Sequence, residues 1–163
     1  MIIRGLGLSV FLFSAMISVA QDHSHDHRHE HAHQIFEIGF SNGAVYNVFE
    51  KEVAYAAHIH GVLFIGENRR YGFGLGYERI FDEHQHNAIN IIFHYRPGNH
   101  LVLNLAPGIV WLSSQNKPVK PAMHIEGLYE FDFGRFHLGP ILGIGFNPED
   151  FHASLGVHLA LGF

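Results

Sequence analysis

The sequence from Phe151 to Phe163 reads FHASLGVHLALGF, and its side chains alternate between two classes. Apolar residues occupy every second position and form one face: Phe151, Ala153, Leu155, Val157, Leu159, Leu161 and Phe163. The intervening positions hold mainly glycine, histidine and other small residues. Because successive side chains of a β-strand point to opposite faces of the sheet, this period of two predicts a long strand with one apolar face.

The same alternation recurs upstream, in runs that are separated by turn-forming Gly, Pro, Asn and Asp. The predicted strands are approximately 36–48, 53–65, 71–78, 88–95, 101–111, 122–131, 136–146 and 151–163. The predicted turns are 67–70, 97–99, 132–135 and 147–150, with longer polar connections at 82–86 and 113–120. No convincing apolar stripe of helical period is present after residue 34. The sequence therefore predicts an all-β fold of eight strands joined as consecutive hairpins.

The composition of the two strand faces predicts which face lies inside. The less apolar face is rich in Gly, Ala, His and Asn, and it carries few of the exposed-type charges that cover a soluble sandwich. Such a face suits the interior of a narrow barrel, while the large aliphatic and aromatic face suits lipid. Aromatic residues lie near predicted strand ends, where membrane interfaces are expected: Tyr46, Tyr55, Tyr71, Tyr95, Trp111, Tyr129 and Phe163. We predict an eight-stranded antiparallel up-and-down transmembrane β-barrel, with a soluble periplasmic barrel as the alternative.

The composition also excludes several classes of protein. The chain has 163 residues and no cysteine, which excludes a disulfide scaffold and a Cys-ligated zinc finger. Its formal net charge is −5 and it has no basic block, so nucleic acid is not an expected partner. The 16 histidines outnumber all Lys and Arg together, which number 10. Histidine is therefore the residue type whose function most needs an explanation.

Residues 1–20 have the features of a secretory signal peptide. Arg4 supplies a positive start, 6–17 is an apolar stretch, and Ser18-Val19-Ala20 is a small-x-small cleavage site. The apolar stretch is short for a membrane-spanning helix. We expect export and cleavage before Gln21.

Residues 21–34, QDHSHDHRHEHAHQ, form a tail with histidine at every second position: His23, His25, His27, His29, His31 and His33. Neutral imidazole is a common ligand for zinc, copper and nickel, and interleaved carboxylates add further ligands. The tail has little apolar surface to bury, so it is expected to be flexible without metal. We expect it to bind divalent transition metal; the alternative is a polar spacer that titrates near neutral pH.

The region 35–163 resembles the small eight-stranded outer-membrane barrels of Gram-negative bacteria, of the OmpA/OmpX type. Its last strand, which ends in Phe163, is similar to the signal that the barrel-assembly machinery reads in this class. The resemblance implies outer-membrane lipid and that machinery as partners, with both termini and the His-rich tail in the periplasm. The connections on the outer side are shorter than the family's usual loops, which disfavours an adhesion role built on extended loops.

Alternation assigns thirteen polar side chains to the barrel interior: Glu37, His58, His60, Glu78, Asn90, His94, Asn104, His124, Glu126, Glu130, His137, His152 and His158. A hairpin centred in 132–135 predicts Glu130 opposite His137. A hairpin centred near 148–149 predicts His158 opposite Gly139, diagonal to His137, and barrel closure brings Glu37 towards His158. The sequence thus predicts one belt of these four ionisable groups near the periplasmic end.

A second group is expected near the outer end, formed by Glu78, His124 and His152, with His58 and His60 lying deeper. Both groups have two interpretations. Narrow barrels fill their interiors with side chains, so His–Glu hydrogen bonds can form a polar plug. Alternatively, they bind metal.

Three functions follow from these patterns. The first is an outer-membrane barrel that handles Zn, Cu or Ni through its tail and through a luminal site of Glu130, His137 and His158. The second is an envelope-integrity barrel without a metal function. The third is a lipid-modifying enzyme, because His152 and Ser154 have a spacing similar to that in the lipid A deacylase barrels. We expect no enzyme, since this pair faces the lumen and Leu155 follows where that family has Asn.

Overall fold

Nine strand segments form one antiparallel sheet that closes on itself, in a computed structural model that describes residues 34–113 and 118–163. The segments are β1 (Phe36–Asn47), β2 (Glu52–Ile65), β3 (Tyr71–Phe81), β4 (His86–Tyr95), β5 (Leu101–Leu112), β6 (Lys120–Tyr129), β7 (Phe131–Phe133), β8 (Phe136–Asn147) and β9 (Asp150–Gly162). Segments β6 and β7 are two parts of one barrel strand, interrupted at Glu130, and both pair with β8. The eight-stranded up-and-down barrel predicted from the sequence is confirmed.

The first and last strands close the barrel. The pairing of β1 with β9 is antiparallel and continuous from Glu37 opposite Gly162 to Asn47 opposite His152. The Phe163 N–H donates a 2.7 Å hydrogen bond to the Phe36 carbonyl at one end of this seam. We call this end, where residues 34 and 163 lie, the terminal end of the barrel, and the other end the opposite end.

Large apolar side chains cover the outer wall, as the alternation predicted. Leu75 on β3 and Leu155 on β9 are 62% and 60% exposed, and similar residues recur on every long strand. Removing apolar surface from water is favourable by about 25 cal/mol per Å², so this wall favours a lipid surrounding. No helix in the part of the chain that the structure describes is long and apolar enough to cross a membrane.

The interior holds polar groups together with small apolar clusters. Twelve of the thirteen polar side chains predicted to face inward are buried, and the thirteenth, Glu78, is nearly so. Apolar clusters lie between them, such as Val62, Phe64, Ile92 and Ala106. The interior is therefore filled by side chains, which is typical of an eight-stranded barrel.

The hairpin between β7 and β8 differs from the sequence prediction. Its turn is Gly134-Arg135, with Gly134 at a φ of +70°, a left-handed conformation that glycine adopts readily. Consequently Asp132 lies opposite His137, and the predicted pairing of Glu130 with His137 is wrong by two residues. The predicted pairing of His158 with Gly139 is confirmed.

Candidate metal centre

Five ionisable side chains meet inside the terminal half of the barrel, and we call them the terminal cluster: Glu37, His60, Glu130, His137 and His158. They come from β1, β2, the β6–β7 break, β8 and β9, so the closed barrel is needed to bring them together. All five are buried. The structure thus unites the four residues grouped from sequence and adds His60.

Short polar contacts connect the members of the terminal cluster. His137 Nδ1 lies 2.8 Å from Glu37 Oε2, within hydrogen-bond distance. Glu130 lies between His158 and His137, with Oε1 at 3.5 Å from His158 Nε2 and Oε2 at 4.0 Å from His137 Nδ1. Glu130 and His137 are therefore close in space although they are not opposite each other in the sheet.

Three of these side chains have the arrangement of a metal centre. One ligand atom from each of Glu37, His60 and His158 lies within 4.8 Å of the other two. Gly39 provides the space for the imidazoles, since a Cβ there would lie 2.3 Å from His60 Nε2 and 2.7 Å from His158 Cε1. The two rings stack with their centroids 5.2 Å apart. A side chain at position 39 would therefore occupy the volume in which these ligands meet.

Neighbouring groups orient two of these three side chains, His158 and Glu37. Ser41 Oγ lies 3.0 Å from His158 Nδ1, so a proton on Nδ1 leaves the lone pair of Nε2 for a metal. His137 Nδ1 lies within hydrogen-bond distance of one carboxylate oxygen of Glu37. Within the described residues, the buried Nδ1 of His60 has no hydrogen-bond partner. Two imidazoles and one carboxylate form a donor set that zinc accepts, with a fourth position for water.

Arg96 is the functional residue that sequence reasoning missed. Its Nη2 lies 2.8 Å from Glu130 Oε2, and both side chains are buried. This guanidinium already compensates Glu130, and its charge disfavours a second cation beside it. The centre is therefore better formed by Glu37, His60 and His158 than by the predicted set of Glu130, His137 and His158. The signal was available, because Arg96 comes directly after β4 and follows the inward-facing His94 by two positions.

The described part of the interior holds more buried carboxyl groups than buried guanidinium or ammonium groups. Glu37, Glu126 and Glu130 are buried, whereas Arg96 is the one buried guanidinium or ammonium side chain within 34–113 and 118–163. Buried charges are costly unless they are compensated. The excess negative charge is removed by protonation of a carboxylate, or it is compensated by protonated histidines or by a bound metal ion.

The six tail histidines and the predicted signal peptide lie outside the described residues. Gln34, the last residue of the predicted tail, is buried at the terminal end of the barrel. Its Nε2 donates a 3.1 Å hydrogen bond to the carbonyl of Gly134. The chain that precedes Gln34 therefore joins the barrel at the end that holds the terminal cluster.

A second group lies near the opposite end: Glu78, His124 and His152, which we call the opposite triad. His124 Nδ1 is 3.5 Å from Glu78 Oε2. His58 lies between the two groups, with its ring centroid 5.0 Å from that of His60, and it faces Glu78 across the β2–β3 pair. Both His152 and Ser154 lie on the inward face of β9, as expected, and away from the outer wall.

Solved structures share this architecture. Neisserial surface protein A matches with a TM-score of 0.59 and 8% identity, over 78% of this chain and 96% of that one. The N-terminal β-barrel domain of Pseudomonas aeruginosa OprF matches with a TM-score of 0.53 and 15% identity, over 78% and 97%. The chain has the fold of the small eight-stranded outer-membrane barrels.

A de novo designed transmembrane β-barrel matches equally, with a TM-score of 0.53 and 13% identity over 80% of this chain and 97% of that one. No protein-family model and no curated protein matches the sequence. Because a designed barrel also adopts this fold, the fold by itself does not indicate which ligand a chain binds. The function of this barrel must therefore be argued from its own side chains.

Proposed function

We propose that this protein is an outer-membrane barrel that binds a divalent transition metal ion at its terminal end. The observation that carries the proposal is the convergence of Glu37, His60 and His158, three ligands from three strands, in a space kept open by Gly39. The terminal end faces the periplasm in this proposal. The metal-binding residues are these three side chains together with the six tail histidines, and Glu130 and His137 support them.

The donor set favours some metals over others. Imidazole suits zinc, copper and nickel, whereas calcium and magnesium prefer sites made only of oxygen ligands. Among the divalent ions of this series copper binds most tightly to a given site, so the supply of metal decides which ion is bound. Zinc, copper and nickel are all candidates, and affinity alone does not select zinc.

The tail and the luminal centre act together in this proposal. The tail joins the barrel through Gln34 beside the terminal cluster. A tethered ligand group has a high effective concentration at a nearby site. The tail would therefore capture the ion from the periplasm, and the buried centre would retain it.

The test is a titration of the purified protein in detergent with Zn²⁺, Cu²⁺ and Ni²⁺, near pH 7 and again near pH 5. Three forms are compared: the unaltered chain, a tail variant in which all six tail histidines are Asn, and the tail variant that also carries H60N and H158N. We expect tight binding to remain in the tail variant, and the part of it that the terminal centre contributes to weaken at least tenfold in the third form. The control adds H94N to the tail variant, because His94 is a buried luminal histidine that belongs neither to the terminal cluster nor to the opposite triad.

Imidazole binds metal only when it is neutral, and free histidine loses its proton at about pH 6.5. Binding should therefore weaken near pH 5 in every form that binds. If H60N with H158N leaves the titration of the tail variant unchanged, the luminal centre is wrong. If the tail variant equals the unaltered chain in affinity, in stoichiometry and in cellular metal tolerance, the capture role of the tail is wrong.

An envelope-integrity barrel is the second candidate, and a specific pair of contacts favours it. Arg96 compensates Glu130, and His137 compensates Glu37, so part of the terminal cluster is satisfied without metal. Such a network fills and rigidifies the interior. This candidate predicts no retained metal after purification and no change of metal tolerance when the gene is deleted.

A further inference from the structure

The opposite triad is a second group of metal-ligating side chains, separate from the terminal cluster. Glu78, His124 and His152 come from β3, β6 and β9, and one ligand atom from each lies within 4.8 Å of the others. Two imidazoles and a carboxylate repeat the donor set of the terminal centre. The triad lies near the end of the barrel that is farthest from the tail.

A glycine creates the space in which the triad meets. Gly145 on β8 is the cross-strand partner of both His124 and His152. A Cβ at this position would lie 2.2 Å from His152 Nε2 and 3.0 Å from His124 Nε2. The two rings are nearly perpendicular, with their centroids 5.1 Å apart. Both imidazole rings therefore meet above the same glycine, within reach of one ion.

The distances within the triad are too long for good hydrogen bonds but suit ligands of one ion. His124 Nδ1 and Glu78 Oε2 are 3.5 Å apart, beyond the usual hydrogen-bond distance. Ligands at about 2.0–2.2 Å from a tetrahedral zinc lie roughly 3.3–3.6 Å from one another. Asp150 Oδ2 lies 3.6 Å from His152 Nδ1, behind the nitrogen that faces Gly145. The groups stand in the order carboxylate, imidazole, metal, but within the described residues His152 Nδ1 has no hydrogen-bond partner.

Two adjacent cavities lie between the triad and the opposite end of the barrel. The first is lined by the triad itself and also by His86, Asn147 and Asp150. A second cavity shares these three residues and extends to Glu50 and His84 in the connections after β1 and β3. His84 Nε2 and Glu50 Oε1 lie 3.3 Å apart and are partly exposed. Imidazole and carboxylate groups therefore line the path from the loops to the triad.

We infer that Glu78, His124 and His152 form a second site for a divalent transition metal ion, which loads from the opposite end of the barrel. The site does not depend on the tail or on the terminal centre, because it shares no ligand with either. His58 lies between the two luminal sites, facing Glu78 across one strand pair and with its ring 5.0 Å from that of His60. The barrel thus has one metal site for each side of the membrane.

The experiment uses a full-length chain that lacks the tail histidines and both imidazole ligands of the terminal centre, namely the tail variant with H60N and H158N. We titrate it with Zn²⁺, and with Co²⁺ for the visible spectrum of the bound ion. The inference expects one equivalent of bound metal and a cobalt spectrum that indicates nitrogen ligation. Adding H152N or E78Q should lower the affinity at least tenfold, whereas adding H94N should leave it unchanged.

A glycine variant tests the site without removing any ligand. G145A in the same chain should lower the affinity at least tenfold, because its Cβ would lie 2.2 Å from His152 Nε2 and 3.0 Å from His124 Nε2 and would force both imidazoles to move. G127A is the matched control, since the nearest heavy atom to its added Cβ is 3.9 Å away. Folding of each variant is checked by β-sheet circular dichroism and by the mobility of unheated samples in gels.

Two results would overturn the inference. One is the absence of zinc binding in the folded tail variant with H60N and H158N. The other is an affinity that H152N, E78Q and G145A leave unchanged. Failure of the proposed function is separate, because it is measured by the effect of H60N with H158N in a chain with an intact triad.

Discussion

Ser41 Oγ lies 3.0 Å from His158 Nδ1, and the two residues are direct partners across the β1–β9 seam that closes the barrel. The contact fixes the ring of His158 and leaves its Nε2 towards Glu130 and the centre of the lumen. A hydrogen bond at one ring nitrogen selects the tautomer that can bind metal at the other. Closure of the sheet therefore positions a candidate metal ligand.

Replacing Ser41 tests this positioning role. S41A removes the hydroxyl and should weaken zinc binding in the tail variant by about 10- to 100-fold, the range for partners of metal ligands. S154A is the control, because Ser154 also faces the lumen on the seam strand β9 but has no contact with His158 among those that the structure describes. Zinc titration measures both variants, and equal affinities would contradict the role of Ser41.

Gly39 should be intolerant of a side chain. In G39A the new Cβ would lie 2.3 Å from His60 Nε2, so the imidazoles must move. We expect at least a tenfold loss of zinc affinity and a lower free energy of unfolding, by about 1–3 kcal/mol, as is typical of overpacking. G127A, which has room for its Cβ, should change neither quantity. Zinc titration and urea unfolding in detergent check the pair, and a neutral G39A would refute the close approach.

Arg96 should stabilise the metal-free barrel. R96Q leaves the buried carboxylate of Glu130 without its cation, and breaking a buried ion pair costs about 3–5 kcal/mol. Zinc should restore part of this loss, since Glu130 then becomes available to a cation beside His158. R70Q removes the same charge at an exposed turn position and should have little effect. Urea unfolding with and without zinc gives the answer, and an R96Q chain as stable as R70Q would disprove the ion-pair role.

Leu75 should face lipid. It is 62% exposed near the middle of β3, where L75R would place a charge against hydrocarbon. Such a substitution costs about 2–4 kcal/mol in a transmembrane barrel near the bilayer midplane. N68R adds the same charge in the exposed turn after β2 and should be tolerated. The free energy of folding into phospholipid vesicles distinguishes them, and a tolerated L75R would argue against a membrane-spanning wall.

Sequence periodicity was sufficient for the architecture and for the orientation of side chains. Alternation in stretches such as 151–163 predicted both the strands and their inward residues, because each strand fixes its own two faces locally. It placed this turn at 132–135 but centred it one residue early, and the observed turn at Gly134-Arg135 shifts the pairing by two residues, which keeps every side chain on the same face. For that reason Glu130 was placed inside correctly but opposite the wrong residue.

The strand pattern of the amino-acid sequence is enough to specify an eight-stranded barrel with an apolar outer wall and a histidine- and glutamate-lined interior. Which of these groups meet is visible only in the folded barrel, where His60 joins Glu37 and His158, Arg96 compensates Glu130, and His124 and His152 share the space above Gly145. The face on which a side chain lies is set within its own strand, whereas contact across the lumen depends on the register of all eight strands and on closure of the β1–β9 seam.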